Sequence, residues 1–287
     1  IHCMTIKELY RLISGTLSPS LGVHEAMAVA SVVLEYLEEA DRTLLVTDPG
    51  RECRTSCDRI ESVLSRLSAG EPVRYVTGYT YFMNRRFYVT PDVLIPRPET
   101  EELVDTVIRQ WRGKGKVRAI DIATGSGVIA VSMAAELQAD VTAIDISDKA
   151  LEVAERNASA LGCGSIDFRR LDILACRELP PAHIIVSNPP YVRESEKIRM
   201  SDGVLSHEPH IALFVSDNDP LVFYRKIASL AAESLVPGGM LYFEINKAFG
   251  EEVAELCRVA GLRDVTVSKD MFGRDRFVSA LAQGNGF

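Results

Sequence analysis

The sequence predicts an α/β fold, a mostly parallel sheet covered by helices on both faces, with a small helical domain ahead of it. Three observations predict it. Residues up to about 77 carry apolar side chains at helical spacing and little else. From Val117 onward, strand-like and helical segments alternate. A glycine-rich turn, "ATGSG", joins the first of those strands to the first of those helices.

The helical region reads from about residue 5 to 77. "HEAMAVASVVLEYLEEA" sets Ala28, Val32, Leu34 and Leu37 on one apolar stripe. "SCDRIESVLSRLSAG" does the same with Ile60, Val63, Leu64 and Leu67, and Gly70 supplies a stop. Nothing here has the residues for chemistry, so residues 1–77 are expected to hold a partner. Two aromatic-rich runs follow, Tyr79 to Met83 and Arg86 to Thr90, and predict a hairpin turning at Asn84-Arg85. In "IPRPETEELV", Pro98 suits a first helical turn, and Glu99, Glu101 and Glu102 favour its positive end. The domain boundary is expected in the hairpin and linker, residues 78–98, with the second domain over 99–287.

In that domain "VRAIDIA", "DVTAIDI", "IDFRRLDI", "HIIVSNPP" and "GGMLYFEIN" read as strands. "VIAVSMAAELQ", "DKALEVAERNASALG" and the stretch from Asp219 to Leu235 read as helices. "DVTVSKD" and "RFVSALA" are separated only by "MFGRD", too little for a crossover helix, so they should pair antiparallel at one end of the sheet.

Composition narrows the function classes. With 47% hydrophobic and 25% charged residues the chain of 287 is ordinary globular material. No apolar run approaches the twenty or so residues of a bilayer span, and the N-terminus lacks a signal-peptide pattern, so a cytoplasmic protein is expected. A net charge of -8 argues against a general nucleic-acid binder. The six cysteines, Cys3, Cys53, Cys57, Cys163, Cys176 and Cys257, form no disulfide framework. Cys53 and Cys57 lack histidines to complete a zinc set, so no metal is expected. "HEPH", His207 to His210, has the wrong spacing for a helical zinc site and reads as a loop near a substrate mouth. The aromatic group Tyr75, Tyr79, Tyr81, Phe82, Phe87 and Tyr88 reads as core packing between the two domains rather than a platform for nucleobases.

Two loops carry the chemistry. Gly125, Gly127 and Ala130 satisfy G-x-G-x-x-A between a strand and a helix, and Asp145 ends the next strand, placed to accept from ribose hydroxyls. Asp121, four residues before Gly125, would repel a pyrophosphate but suits a cationic ligand. That tilts the nucleoside from NAD toward S-adenosylmethionine, although Asp121 could instead serve the helix N-terminus. Asp172 and Ile173 close the third strand and should meet the adenine, unless Asp172 caps the segment after it. Asn188, Pro189, Pro190 and Tyr191 follow the fourth strand. The Asn188 side-chain oxygen and the Pro189 carbonyl can accept both N–H bonds of a conjugated amine or amide, with the Tyr191 ring against the flat group.

"SNPPYV", "DIATGSG" and "VLIPRPETEELV" together resemble the HemK/PrmC family of peptide chain release factor glutamine methyltransferases, over nearly the whole chain. "SNPPY" is shared with DNA adenine and ribosomal RNA guanine methyltransferases, whereas "IPRPETE" is more specific to the glutamine enzymes. The resemblance implies a class I, Rossmann-like methyltransferase domain with a seven-stranded sheet. It implies donor contacts from Ala123, Thr124, Gly125, Ser126, Gly127, Asp145, Asp172, Ile173 and Asn188, with Asn188, Pro189, Pro190 and Tyr191 gripping the glutamine of a Gly-Gly-Gln loop in a class 1 release factor. Catalysis would rest on Asn188, Pro189 and Tyr191, with no membrane and no nucleic-acid substrate. Ile122-Ala123 stands where a leucine-glycine pair is usual, an exchange that reads as harmless. Ile173 stands where an aromatic is common, which weakens adenine packing. The rival readings are methylation of a ribosomal-protein glutamine, exocyclic-amine methylation of DNA or RNA, a nucleotide-binding oxidoreductase, and a non-catalytic binding module.

Overall fold

The structure is a computed structural model that describes residues 4–41 and 43–283. The Ile1-His2-Cys3 lead, with Cys3, lies outside the described residues. The chain divides into two compact units. One contains the chain up to Tyr79 together with Ser201–His207, and the other contains Thr80–Met200 and the chain from Glu208 on. The first unit therefore borrows a short segment from beyond residue 99. That segment packs close: a Cβ on Gly203 would sit 3.2 Å from the Gly70 carbonyl oxygen.

The first unit is helical because its apolar residues recur every three or four positions. Helix α1 (Ile6–Leu21) buries Ile6, Leu9, Ile13 and Leu17 and starts on a capping box, in which Thr5 and Glu8 satisfy each other's backbone amides. Helix α2 (Val23–Glu38) buries Ala26, Ala30, Val33, Leu34 and Leu37. Ala28, expected on that stripe, is exposed, since two residues of offset turn a side chain to the far side. After the short α3 (Leu44–Thr47), α4 (Cys57–Ser68) buries Ile60, Val63 and Leu67, and α5 (Val73–Thr77) precedes Gly78. Glu38 is 4% exposed and collects the Arg51 guanidinium, the Arg54 and Thr55 amides and the Thr55 hydroxyl. Burial alone would raise its carboxyl, but these donors together hold it below the usual range.

The hairpin joins β1 (Tyr79–Phe82) to β2 (Arg85–Tyr88). Its turn is Met83-Asn84, one residue earlier than predicted, with φ of 47° and 60°. In a type I′ hairpin turn both central residues need positive φ. Asn tolerates that readily, while Met83 is held there by the Glu101 carboxylate accepting its amide at 2.6 Å. Phe82 and Phe87 meet edge to face in the core of the second unit, whereas Tyr81 is exposed.

The second unit continues with α6 (Pro98–Trp111), β3 (Val117–Ile122), α7 (Val128–Glu136), β4 (Ala139–Asp145), α8 (Asp148–Ala160), β5 (Asp167–Arg170) and β6 (Ala182–Ser187). Next come β7 (Val192–Arg193), a 3₁₀ turn over Glu194–Arg199, then α9 (Asp202–His207), which belongs to the first unit, and, back in the second, α10 (His210–Leu213) and β8 (Phe214–Val215). The chain finishes through α11 (Val222–Ser234), β9 (Leu235–Glu244), α12 (Gly250–Val259), β10 (Arg263–Lys269) and β11 (Asp275–Leu281). Seven strands form one sheet in the order β10-β11-β9-β6-β3-β4-β5. Strands β5, β4, β3, β6 and β9 run parallel, and β10 and β11 pair antiparallel at one end, as their short connection requires. Helices α6 and α7 cover one face of the sheet and α11 and α12 the other, which is why the central strands are buried on both sides. Among the described residues no helix is long and apolar enough to cross a membrane.

Candidate active site

In an open α/β sheet, ligands sit beyond the carboxyl ends of the strands where the strand order reverses. Here β3 lies between β4 and β6, with Ile122 opposite Ser187, so the loops after β3 and β6 emerge side by side. The Ser187 hydroxyl fastens that register by donating to the Ile122 carbonyl at 2.8 Å. A cleft opens at this point. It is lined by Ala123 to Ser126, Asp145, Asp172, Ile173 and Asn188 to Pro190, with Thr100, Arg97 and Asp92 on another side.

The glycine loop is built by positive φ at Ala123 (61°), Gly125 (54°) and Gly127 (81°). Gly125 faces open space, whereas a Cβ on Gly127 would lie 3.0 Å from the Ala154 Cβ. Gly127 thus permits the close approach of α8 and does not line the cleft. Ala123 is a finding against the reading of its exchange as harmless: left-handed backbone costs an alanine about 1 kcal/mol that glycine escapes.

The three acids divide the work. Asp145 ends β4 in the cleft, accepting from the Gly125 amide at 2.9 Å and the Ser147 amide at 3.0 Å, and burial raises its carboxyl above the usual range. Asp121 is fully buried beneath the loop and does not line the cleft. Its Oδ2 accepts from the Thr124 hydroxyl and from the Ala130 amide in the first turn of α7, so it does serve the helix N-terminus. Its Oδ1 has no partner among the described residues, and burial pushes its carboxyl up to about 7. Asp172 and Ile173 lie past the end of β5, which stops at Arg170. Asp172 accepts the Leu174 amide at 2.9 Å, and Ile173 is buried along the wall.

At the end of β6 the Asn188 amide reaches across to α6. Its Nδ2 donates to the Thr100 hydroxyl oxygen at 3.3 Å, and Thr100 donates in turn to Glu244 at 2.7 Å. Tyr191 turns away from the cleft. Its ring packs on the sheet core and its hydroxyl donates to the other Glu244 oxygen at 3.1 Å. Burial and the Glu244 carboxylate hold the Tyr191 phenol far above its usual range, so it stays a donor. Thr100 and Glu244 were missed by sequence reasoning. Thr100 lies inside the quoted "IPRPETE", so its motif was seen while its partner was not. "HEPH" contributes Glu208, which accepts from Arg97 at 2.6 Å and from the Ile95 amide, and no metal-holding group occurs among the described residues.

Among the described residues the charged groups lining the cleft are Asp92, Asp145, Asp172 and a single cation, Arg97, whose guanidinium is tied to Glu208. That set suits ribose hydroxyls and a positively charged ligand, and offers a pyrophosphate little. S-adenosylmethionine fits it: the amide-bound Asp145 lines the cleft as an acceptor, and the unpaired Asp121 oxygen lies below the loop.

Comparison with known proteins agrees with the fold. Residues 8–78 match the PrmC N-terminal domain, and residues 100–207 match the methyltransferase small domain. A release factor glutamine methyltransferase of Bacteroides thetaiotaomicron is 47% identical over 224 residues, covering 77% of this chain and 80% of its own. One from Flavobacterium psychrophilum is 44% identical over 253 residues, covering 86% and 88%. A solved methyltransferase from Pyrococcus furiosus, 18% identical, shares the fold with a TM-score of 0.51, over 69% of this chain and 88% of that one. The chain belongs to the release factor glutamine methyltransferase family.

Proposed function

We propose that the protein transfers a methyl group from S-adenosylmethionine to the side-chain amide nitrogen of the glutamine in the Gly-Gly-Gln loop of class 1 release factors. The observation that carries this reading is Asn188, an amide anchored by Thr100 at the mouth of the cleft that Asp145 and the glycine loop share. The donor, when bound, supplies an electrophilic methyl on a sulfonium. The chain's own groups then prepare the amide nitrogen, whose lone pair is delocalised and weakly nucleophilic. The Asn188 Oδ1 and the Pro189 carbonyl accept its two N–H bonds, which favours a tetrahedral nitrogen and fixes its direction. Pro189 and Pro190 hold those acceptors rigidly. No base is needed beforehand, because the nitrogen sheds its proton readily only once it carries the methyl.

Asp145 would hold the ribose, and the loop from Ala123 to Ser126 with Asp172 and Ile173 would enclose the rest of the donor. Gly127 acts by letting α8 approach, and Tyr191 acts from behind the cleft. The helical unit, which lacks donor-loop chemistry, docks the release factor. An apolar groove along α1 and α4, edged by Leu12, Ile60 and Leu64, supports that role. The substrate places the enzyme in the cytoplasm. Incubation with labelled S-adenosylmethionine and, separately, a purified release factor, ribosomal protein and DNA tests the reading. Label is expected in the release factor glutamine. Label confined to nucleic acid or to the ribosomal protein would overturn it.

A further inference from the structure

We infer that Glu244 is a positioning residue, which acts through the Thr100 hydroxyl to set which end of the Asn188 amide faces the substrate. The inference rests on the functional reading above and deepens it. Glu244 is the last residue of β9, 1% exposed, and does not line the cleft. Its Oε2 accepts from Thr100 at 2.7 Å and its Oε1 from Tyr191 at 3.1 Å.

The direction of these bonds is what matters. A threonine hydroxyl has one proton. The carboxylate, an acceptor only, takes that proton, so Thr100 turns a lone pair toward Asn188. Only Nδ2 of the amide can answer a lone pair, and it does so at 3.3 Å. The Asn188 Oδ1 is thereby left for the substrate N–H. A glutamine at 244 could instead donate to Thr100. The hydroxyl proton would then point at Asn188, draw Oδ1 toward itself, and present the wrong end of the amide to the cleft. A buried carboxylate is costly where an amide of the same size would fill the space, and an acceptor-only group is what this relay requires. Arg276 offsets part of that cost, with its Nη1 donating to the neighbouring Ile245 carbonyl and its Nε to Asp270. Tyr191 supplies the second proton, which occupies the carboxylate oxygen that Thr100 does not use.

Three variants of the full chain test this: Glu244→Gln, Thr100→Val and Thr100→Ser. The Asn188 side-chain amide pair, assigned in a ¹⁵N-labelled spectrum by its loss in Asn188→Ala, reports the relay without any substrate. Its hydrogen exchange should be slow in the parent and in Thr100→Ser, and faster by roughly tenfold or more in Glu244→Gln and Thr100→Val, the scale of losing one net hydrogen bond. Single-turnover methylation should fall by roughly tenfold or more in those same two variants, on the scale of one misdirected contact at a reacting centre. Donor affinity should stay within about twofold. The double variant should be no slower than either single one, because the two groups act as one unit. Parental amide exchange in Glu244→Gln, a Thr100→Ser as slow as Thr100→Val, or multiplied losses in the double variant would each overturn the inference. A parent that protects the Asn188 amide yet methylates no release factor would overturn the functional reading instead.

Discussion

At the scale of single residues, the site rests on carboxylates whose partners decide their roles. Among the described residues Asp145 is the one acid that both lines the cleft and ends a sheet strand beside the glycine loop. Two backbone amides orient it, so a ribose meets a fixed acceptor and little ordering is left to do on binding. Replacing Asp145 with alanine should cost about 1.5–3 kcal/mol of donor binding, the scale of a charged hydrogen bond. Calorimetric titration would read that as a roughly ten- to hundredfold loss of affinity. Unchanged affinity for S-adenosylmethionine would remove Asp145 from the donor site. The asparagine, the prolines and Asp145 were legible because each follows an apolar run at a strand end. Glu244 was not legible. It lies 144 residues from Thr100 and 53 from Tyr191, and its neighbours "LYFEIN" read only as a buried strand. A charge at the end of an otherwise apolar strand was the one available signal.

At the scale of elements, periodicity settled which segments are helices and which are strands, while the turns between them depended on contacts from elsewhere. The β1–β2 turn falls on Met83-Asn84 because Glu101, eighteen residues on, accepts the Met83 amide. Local turn preference knows nothing of that bond. The β3–α7 turn shows the same limit. Ala123 adopts a φ of 61° because Asp121, Thr124 and the start of α7 are tied together around it. Glycine would adopt this conformation freely, though it also gives the unfolded chain more freedom to lose. On balance Ala123→Gly should raise stability by about 0.5–1 kcal/mol, read as a higher urea midpoint at unchanged slope. A lower midpoint would show that the turn carries no strain at Ala123.

At the scale of the whole molecule, buried acids make stability depend on pH in an unusual direction. Asp121, Asp145 and Glu244 are all raised by burial, Asp121 to about 7. The folded chain keeps a proton on Asp121 at pH values where the unfolded chain has lost it. Its contribution to stability is therefore full below the ordinary carboxylate range and is lost as pH rises through about 7, and Asp145 and Glu244 shift in the same direction. Glu38, Glu136, Asp217, Asp219 and Asp270 are held low by hydrogen bonds and ion pairs, so their contribution is lost only as pH falls below that range. His183, depressed by burial and by Arg118, gains stability as pH rises and opposes the buried acids. The donor-free protein should accordingly be most stable in mild acid. Asp121 alone should remove about 2 kcal/mol between pH 5 and pH 7, given about 1.4 kcal/mol per pH unit for each retained proton. Urea unfolding at those two values, in the parent and in Asp121→Asn, isolates this contribution from that of His183, which is the same in both. The parent should lose stability across the interval, and the asparagine variant should lose about 2 kcal/mol less, or gain. Saturating S-adenosylmethionine should also flatten the parent's loss, because a positive charge near the unpaired Asp121 oxygen favours the ionised form. An Asp121→Asn variant that keeps the parent's full pH dependence would mean that this carboxyl ionises as freely in the folded chain as in the unfolded one.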